Sequence, residues 1–243
     1  MLALDGPLGP GVQRRLLALL QLVEALGHRV VGHGGHRVPN GNHRTQGGAG
    51  RYVSTVSDST ATRSPALAVF CGSRPGTDDG VHALARQLGA ALAAAGVDLV
   101  YGGTEVGVMG TLADTVLAEG GRVVGVIPVV LVEREVAHRG LTKLIEVEDM
   151  HARKRTMYAR ADAFCALPGG YGTLEEVFEA ATWTQLGLHD GPKPVVLLDH
   201  NGFWSGLEAF LDRAVDDGFV KPANRSIVSR VTTVADVLAV LDR

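Results

Sequence analysis

From Leu67 almost to the end of the chain, short apolar runs alternate with helical stretches, and this alternation constrains the fold more than any other feature. "LAVFCGS" reads as a buried strand, and "DDGVHALARQLGAALAAAG" as a helix ended by Gly96. "VDLVYGG", "RVVGVIP", "KLIEVED" and "DAFCALPGG" read as further strands. Helices are predicted over "GTLADTVLAEGG", "MHARKRTMYARA" and "TLEEVFEAATWTQLGL". "KPVVLLD" is expected to be the last strand, followed by the amphipathic "GFWSGLEAFLDRAVDDGFV" and a closing helix, "TVADVLAVLD". Apolar strands alternating with helices form a parallel sheet covered on both faces. The prediction is a doubly wound, Rossmann-like α/β fold, with residues 65–243 as a single domain.

Residues 1–64 break this pattern. A short amphipathic helix is expected from about Val12 to Leu26. The Gly-, Ser-, Thr- and Asn-rich stretch after it has no periodicity and cannot bury enough apolar surface to offset its ordering entropy. The segment is expected to be disordered, or a non-native extension translated from an upstream start codon. His28, His33, His36 and His43 lie here, but no Cys or carboxylate completes a ligand set, so no metal site is expected.

Charge and cysteine usage exclude several function classes. Residues 1–64 carry seven Lys and Arg against three Asp and Glu, and the rest of the chain carries 16 against 23. The domain is therefore acidic and lacks the clustered basic face that nucleic acid demands, which leaves room only for a small anion held locally. No apolar run reaches the roughly 20 residues of a membrane span. "RRLLALLQLVEALG" is interrupted by Gln21 and Glu24, and no small-residue cleavage site follows it. Cys71 and Cys165 sit in apolar runs and are expected to be buried free thiols in a reducing compartment. The expectation is a cytoplasmic protein with no nucleic-acid or membrane partner.

Three strands run into glycine-rich loops: "CGSRPG", "YGGTEVGVMG" and "PGGYGT". Ligands of such sheets bind beyond the carboxyl ends of the strands. Glycine there lets a ligand approach the backbone amides, and a helix N-terminus behind the loop seats a phosphate. Neither G-x-x-x-x-G-K-[ST] nor G-x-G-x-x-G is present, and no acid ends "RVVGVIP" to hold a dinucleotide ribose. The ligand expected is of mononucleotide size.

Two acids follow the third loop. Thr173 and Glu176 fit a capping box, which gives Glu176 a structural role beside its availability to a ligand. Glu175 points about 100° away around the helix and is free for a ligand. A phosphate would repel it, so its place is against the ribose or a developing positive charge. Arg153, Lys154 and Arg155 fan across different faces of their helix and cannot all meet one ligand. Met150 and Met157 read as core contacts, and His151 as a packing or capping histidine.

"MHARKRTM" and "PGGYGTLEE", with "FCGS" and "GVMG", resemble the LOG family of cytokinin riboside 5′-monophosphate phosphoribohydrolases, long described as possible lysine decarboxylases. The resemblance runs from about Leu67 to the C-terminus. It implies hydrolysis of the N-glycosidic bond of an adenosine-type 5′-monophosphate, without metal or cofactor, by a homodimer. It also implies that Arg153 and Glu175 are the catalytic pair. Substrate contacts are implied for Ser73, Gly103, Glu135, Lys154, Gly169, Gly170, Tyr171, Gly172, Thr173 and Glu176. Two positions depart from the family pattern: Thr104 stands for a glycine of Y-G-G-G and could donate to phosphate, and Arg74 stands for a serine and adds a charge near the site. Trp183 either lines a base pocket or packs within its helix layer. A nucleotide-binding carrier or sensor that does not cleave its ligand is the alternative. Pyridoxal-phosphate decarboxylation fails, because Lys143 and Lys193 begin strands and Lys221 lies in a loop.

Overall fold

The computed structural model describes residues 63–132 and 137–242. The expectations for residues 1–62, and the contact expected of Glu135, lie outside the described residues. Among the described residues the chain forms one seven-stranded sheet in the order β4-β3-β2-β1-β5-β6-β7, with every pairing parallel. The strands are β1 (Ala66–Phe70), β2 (Asp98–Tyr101), β3 (Val123–Pro128), β4 (Lys143–Val147), β5 (Ala163–Ala166), β6 (Val195–Leu198) and β7 (Val228–Val231). The helices are α1 (Asp79–Ala94), α2 (Gly107–Ala118), the short α3 (Val129–Val132), α4 (Met150–Arg160), α5 (Tyr171–Leu186), α6 (Ser205–Asp216) and α7 (Val234–Leu238).

The central strand explains the doubly wound arrangement. All five residues of "ALAVF" are buried, because alternate side chains of β1 enter two different cores. Leu67 and Val69 pack with Leu88 and Leu92 of α1 and Leu112 and Val116 of α2. Ala66, Ala68 and Phe70 pack on the other face with Met157 and Tyr158 of α4 and Val177 of α5. Each large apolar side chain buried in this way contributes about 1.5–3 kcal/mol relative to exposure. Helix starts are marked by side-chain caps: Asp78 accepts from the Gly80 amide at 2.8 Å, and Asp149 from the Ala152 amide at 2.7 Å.

The six predicted strands are all present. The sheet also contains a seventh, β7, so β6 is not the last strand. Its sequence, VSRV, alternates with polar residues because it is an edge strand, and only Val228 is fully buried. Arg230 of this strand is tied to Glu208 at 2.6 Å and to Asp199 at 3.3 Å. No helix among the described residues is long and apolar enough to cross a membrane.

Candidate active site

The chain leaves β1 toward β2 on one side, and β5 pairs on the other, so a crevice opens beyond the carboxyl ends of these two strands. Three glycine loops meet there. Gly107, at φ 64°, presses so closely on Ser73 that a side chain would overlap the Ser73 carbonyl. The Val108 amide donates to the Gly72 carbonyl at 3.2 Å, which fastens the second loop to the first. The third loop carries no side-chain cap at Gly170, so the first amides of α5 face the crevice uncovered by their own helix. The resulting cleft has a volume of about 590 Å³ and is lined by Cys71, Gly72, Ser73, Arg74, Met109, Met150, Arg153, Gly170, Tyr171, Gly172, Thr173, Glu175 and Glu176.

Arg153 enters this cleft from beneath. It is 5% exposed, its Nε donates to the Val126 carbonyl at 3.1 Å, and its Nη2 donates to the Gly102 carbonyl at 2.9 Å. Both acceptors are uncharged backbone atoms near the carboxyl ends of β3 and β2. The guanidinium is thereby fixed on one edge, and among the described residues no carboxylate pairs with it. Its Nη1 faces the soft Met150 sulfur at 3.8 Å. Gly102 makes this approach possible, since a methyl there would overlap Nη2.

Lys154, the next residue, has the opposite surroundings. Its ammonium is buried between α4 and α5, where it donates to Glu175 Oε1 and, at 2.8 Å, to Glu179 Oε2. The Tyr158 hydroxyl donates to the same Glu179 oxygen at 2.9 Å. Burial opposes the charge on Lys154, but the bonds and attraction from Glu175 and Glu179 outweigh it and hold its pKa above the ordinary lysine value. Burial, and then Glu179, push the Tyr158 hydroxyl well above the usual tyrosine range, which keeps it a donor.

The cleft brings together Ser73, Arg153, Gly170, Tyr171, Gly172, Thr173, Glu175 and Glu176 of the residues singled out in the sequence. Lys154 lies behind the cleft wall rather than in it. Gly103 serves the turn after β2, with φ 81°, and its carbonyl accepts from the His138 amide at 2.9 Å. Gly169 lines an adjoining cleft of about 380 Å³, which shares Gly72, Arg74 and Gly170 with the first and has Val81, Val108 and Phe203 among its walls. Asp78 sits in that second cleft beside His200 at 3.0 Å, and the Gly80 amide, followed by His200, holds its carboxyl below the usual range.

Three sequence readings change. The capping box does not form: α5 starts at Tyr171 with Gly170 as its cap, so Thr173 is already in the first helical turn. Its buried side chain packs against Gly169, where a methyl group would overlap it. Met150 is 41% exposed on the cleft rim rather than in the core, because it opens α4 above the sheet edge; Met157 is a core residue. Thr104 is fully buried and bridges to Ala137, so it does not reach the cleft. Trp183 packs edge-on against Tyr158 with ring centroids 5.2 Å apart, as helix-layer packing requires. Arg74 lines both clefts. Sequence reasoning missed Glu179 and Tyr158; their signal was the four-residue spacing from Glu175 and Lys154.

Both thiols are free and buried, and desolvation pushes that of Cys165 up to about 12. Lys143 and Lys193 lie toward the amino ends of their strands, away from the cleft, and the Lys193 ammonium donates to the Tyr158 carbonyl at 2.8 Å. Among the described residues no group of three or more His, Cys, Asp or Glu is placed to hold a metal ion.

A family model described as "Possible lysine decarboxylase" matches residues 109–241, more than half of the chain. Among curated proteins, the cytokinin riboside 5′-monophosphate phosphoribohydrolase of Rhodococcoides fascians is 48% identical over 177 residues, covering 72% of this chain and 88% of its own. The enzymes of the same name from Arabidopsis thaliana, LOG7 and LOG1, are 46% and 43% identical, covering 70% and 72% of this chain and 78% and 82% of their own. This chain belongs to the LOG family. Solved structures extend the fold beyond close relatives. The molybdenum cofactor carrier protein of Chlamydomonas reinhardtii superimposes with a TM-score of 0.56 at 24% identity, over 74% of this chain and 97% of its own. The molybdenum cofactor binding protein of Rippkaea orientalis gives 0.57 at 22%, over 75% and 98%. At these identities what is shared with the carriers is the fold, whereas the LOG relatives are 43–48% identical to this chain over the aligned residues.

Proposed function

We infer that this chain is a phosphoribohydrolase: it hydrolyses the N-glycosidic bond of a purine riboside 5′-monophosphate, giving the free base and ribose 5-phosphate. The observation that carries this reading is the cleft that sets an uncapped helix N-terminus beside an uncancelled Arg153 and an outward-facing Glu175, in a chain 43–48% identical to enzymes of that name.

The phosphate takes the amides of Gly172 and Thr173, where the α5 dipole favours an anion. Glu175, one turn along the same helix, then lies by the ribose. As the bond from C1′ to the base nitrogen lengthens, positive charge grows at the anomeric carbon, and a carboxylate there stabilises the transition state more than the ground state. The water oxygen bonds to C1′, one water proton passes to the departing base, and the other stays on the new hydroxyl. Arg153 faces the electron-rich base as it leaves, and Met109 and Met150 give the purine an apolar wall. Glu175 is the first choice for orienting the attacking water. Adenine and isopentenylated adenine are the two candidate bases.

We propose that the active form is a homodimer. Phe178, Leu186 and Phe210 stand exposed on α5 and α6, in support of an interface on that side. Light scattering at micromolar concentration reads the mass directly: twice the chain mass is expected, and a monomer rejects the dimer.

Base release from AMP, isopentenyladenosine 5′-monophosphate and adenosine, followed by chromatography, tests the activity. Free base is expected from the two monophosphates and not from the nucleoside. Nucleotide binding without any base released selects the carrier reading instead.

A further inference from the structure

Lys154 and Tyr158 stand one turn apart on α4 and face Glu175 and Glu179, one turn apart on α5. Burial grades across this set. The Lys154 side chain is 7% exposed, that of Glu179 25% and that of Glu175 53%, so the cation and one carboxylate lie inside and the other carboxylate looks outward into the cleft. Neutralising a buried lysine needs a single acid. A second carboxylate on the same ammonium adds repulsion between like charges, which the Tyr158 hydrogen bond to Glu179 offsets in part.

We propose that Glu179 is a positioning residue for the hydrolysis, sharing the Lys154 ammonium so that Glu175 presents a net negative charge to the cleft. The inference rests on the phosphoribohydrolase reading above. One cation lies between two carboxylates, and the set therefore carries a net charge of −1. Without Glu179, Lys154 and Glu175 close into a neutral pair. A carboxylate so engaged offers less to the cation that develops at C1′, while the phosphate seat on the α5 amides is untouched. Glu179 itself is absent from the lining of the cleft and acts only through Lys154.

Steady-state kinetics with AMP on the wild-type chain, Glu179→Gln, Glu179→Asp and Tyr158→Phe test this. Gln keeps the size and the acceptor for Tyr158 and removes the charge. It is expected to lower kcat about tenfold with KM within about twofold, an effect of the order that removing one charge acting through a neighbour produces. Asp keeps the charge and is expected to recover most of the lost kcat, which a purely structural role for the side chain would not produce. Tyr158→Phe removes the 2.9 Å bond that fixes Glu179, together with the longer 3.5 Å contact of the same hydroxyl to the Glu176 carbonyl, and is expected to lower kcat about threefold, a readout that survives if the Gln chain fails to fold. Unchanged kcat in Gln and Phe, equal losses in Gln and Asp, or a raised KM at unchanged kcat each overturn the proposal. A wild-type chain that releases no base removes the reading beneath it, and that control is seen before any variant is compared.

Discussion

Arg153 and Lys154 are neighbours on one helix and almost equally buried, at 5% and 6% exposure, yet they do opposite electrostatic work. Arg153 is held by two backbone carbonyls, which fix its position and leave its charge intact. Lys154 is held by two carboxylates, which more than cancel its charge. The difference follows from the neighbours on each side of α4. Toward β2 and β3 the helix meets strand ends, whose outward carbonyls cannot be neutralised by any side chain. Toward α5 it meets another helix, whose i, i+4 acids can reach it. A basic dipeptide thus supplies one positive and one net negative corner of the same cleft.

Removing either corner breaks this comparison most severely. Glu175→Gln keeps the shape and deletes the negative corner, and kcat for base release is expected to fall about 10²–10³-fold with little change in KM. Arg153→Met should cost a similar factor by the same assay. If Arg153 only packed, kcat would stay near the wild-type value.

Gly102→Ala sharpens the Arg153 side by moving the guanidinium while keeping its charge, with the Met109 sulfur the next atom the methyl would meet. Its methyl displaces the Nη2 atom from the Gly102 carbonyl, and about a tenfold loss of kcat is expected, with the melting temperature lowered by a few degrees. A variant with wild-type kcat would mean that the guanidinium need not be held where it lies.

The Lys154 side carries a pH signature. Its folded pKa lies above the ordinary lysine value, so the stability gained from its pairing is fully present below about pH 10.4 and is lost as pH rises through the higher folded value. Lys154→Met is therefore expected to be less stable at neutral pH by about 1–2 kcal/mol, a figure kept small because Glu175 is half exposed and solvent screens it. In urea titrations the gap to wild type should narrow only above about pH 10.5. A gap that narrows near neutrality contradicts the pairing. The smallest effect concerns the thiols: Cys71 and Cys165 are buried and hold their protons, so the folded chain should react with an aromatic disulfide reagent at pH 8 far more slowly than the unfolded one.

The fold was legible where side chains have no choice of surroundings. β1, β3, β5 and β6 are buried on both faces, as is β2 after its leading Asp98, and their apolar runs say so. β7 escaped because an edge strand covers only one face, and its Ser229 and Arg230 hide the pattern. In the site, the glycine loops and several residues of "MHARKRTM" and "PGGYGTLEE" come together at one crevice, as their order along the chain suggests. The misjudged details depend on where a helix begins. Starting α5 at Tyr171 instead of Thr173 turns a supposed capping box into ordinary helical positions. The helix α4 begins at Met150 as read, but its first turn stands on the cleft rim, which leaves that residue outside the core. Glu179 was missed because a carboxylate in mid-helix has many uses, and only the facing helix shows which one it serves.

The central claim is that the two charged corners cleave a nucleotide and do not merely hold it. Incubating AMP with the protein in oxygen-18 water and weighing the sugar product by mass spectrometry tests it most directly. The account predicts ribose 5-phosphate carrying one heavy oxygen at C1, alongside free adenine, from the wild-type chain and almost none from Glu175→Gln. AMP recovered intact from a chain that binds it, or a sugar product with no heavy oxygen, would contradict it.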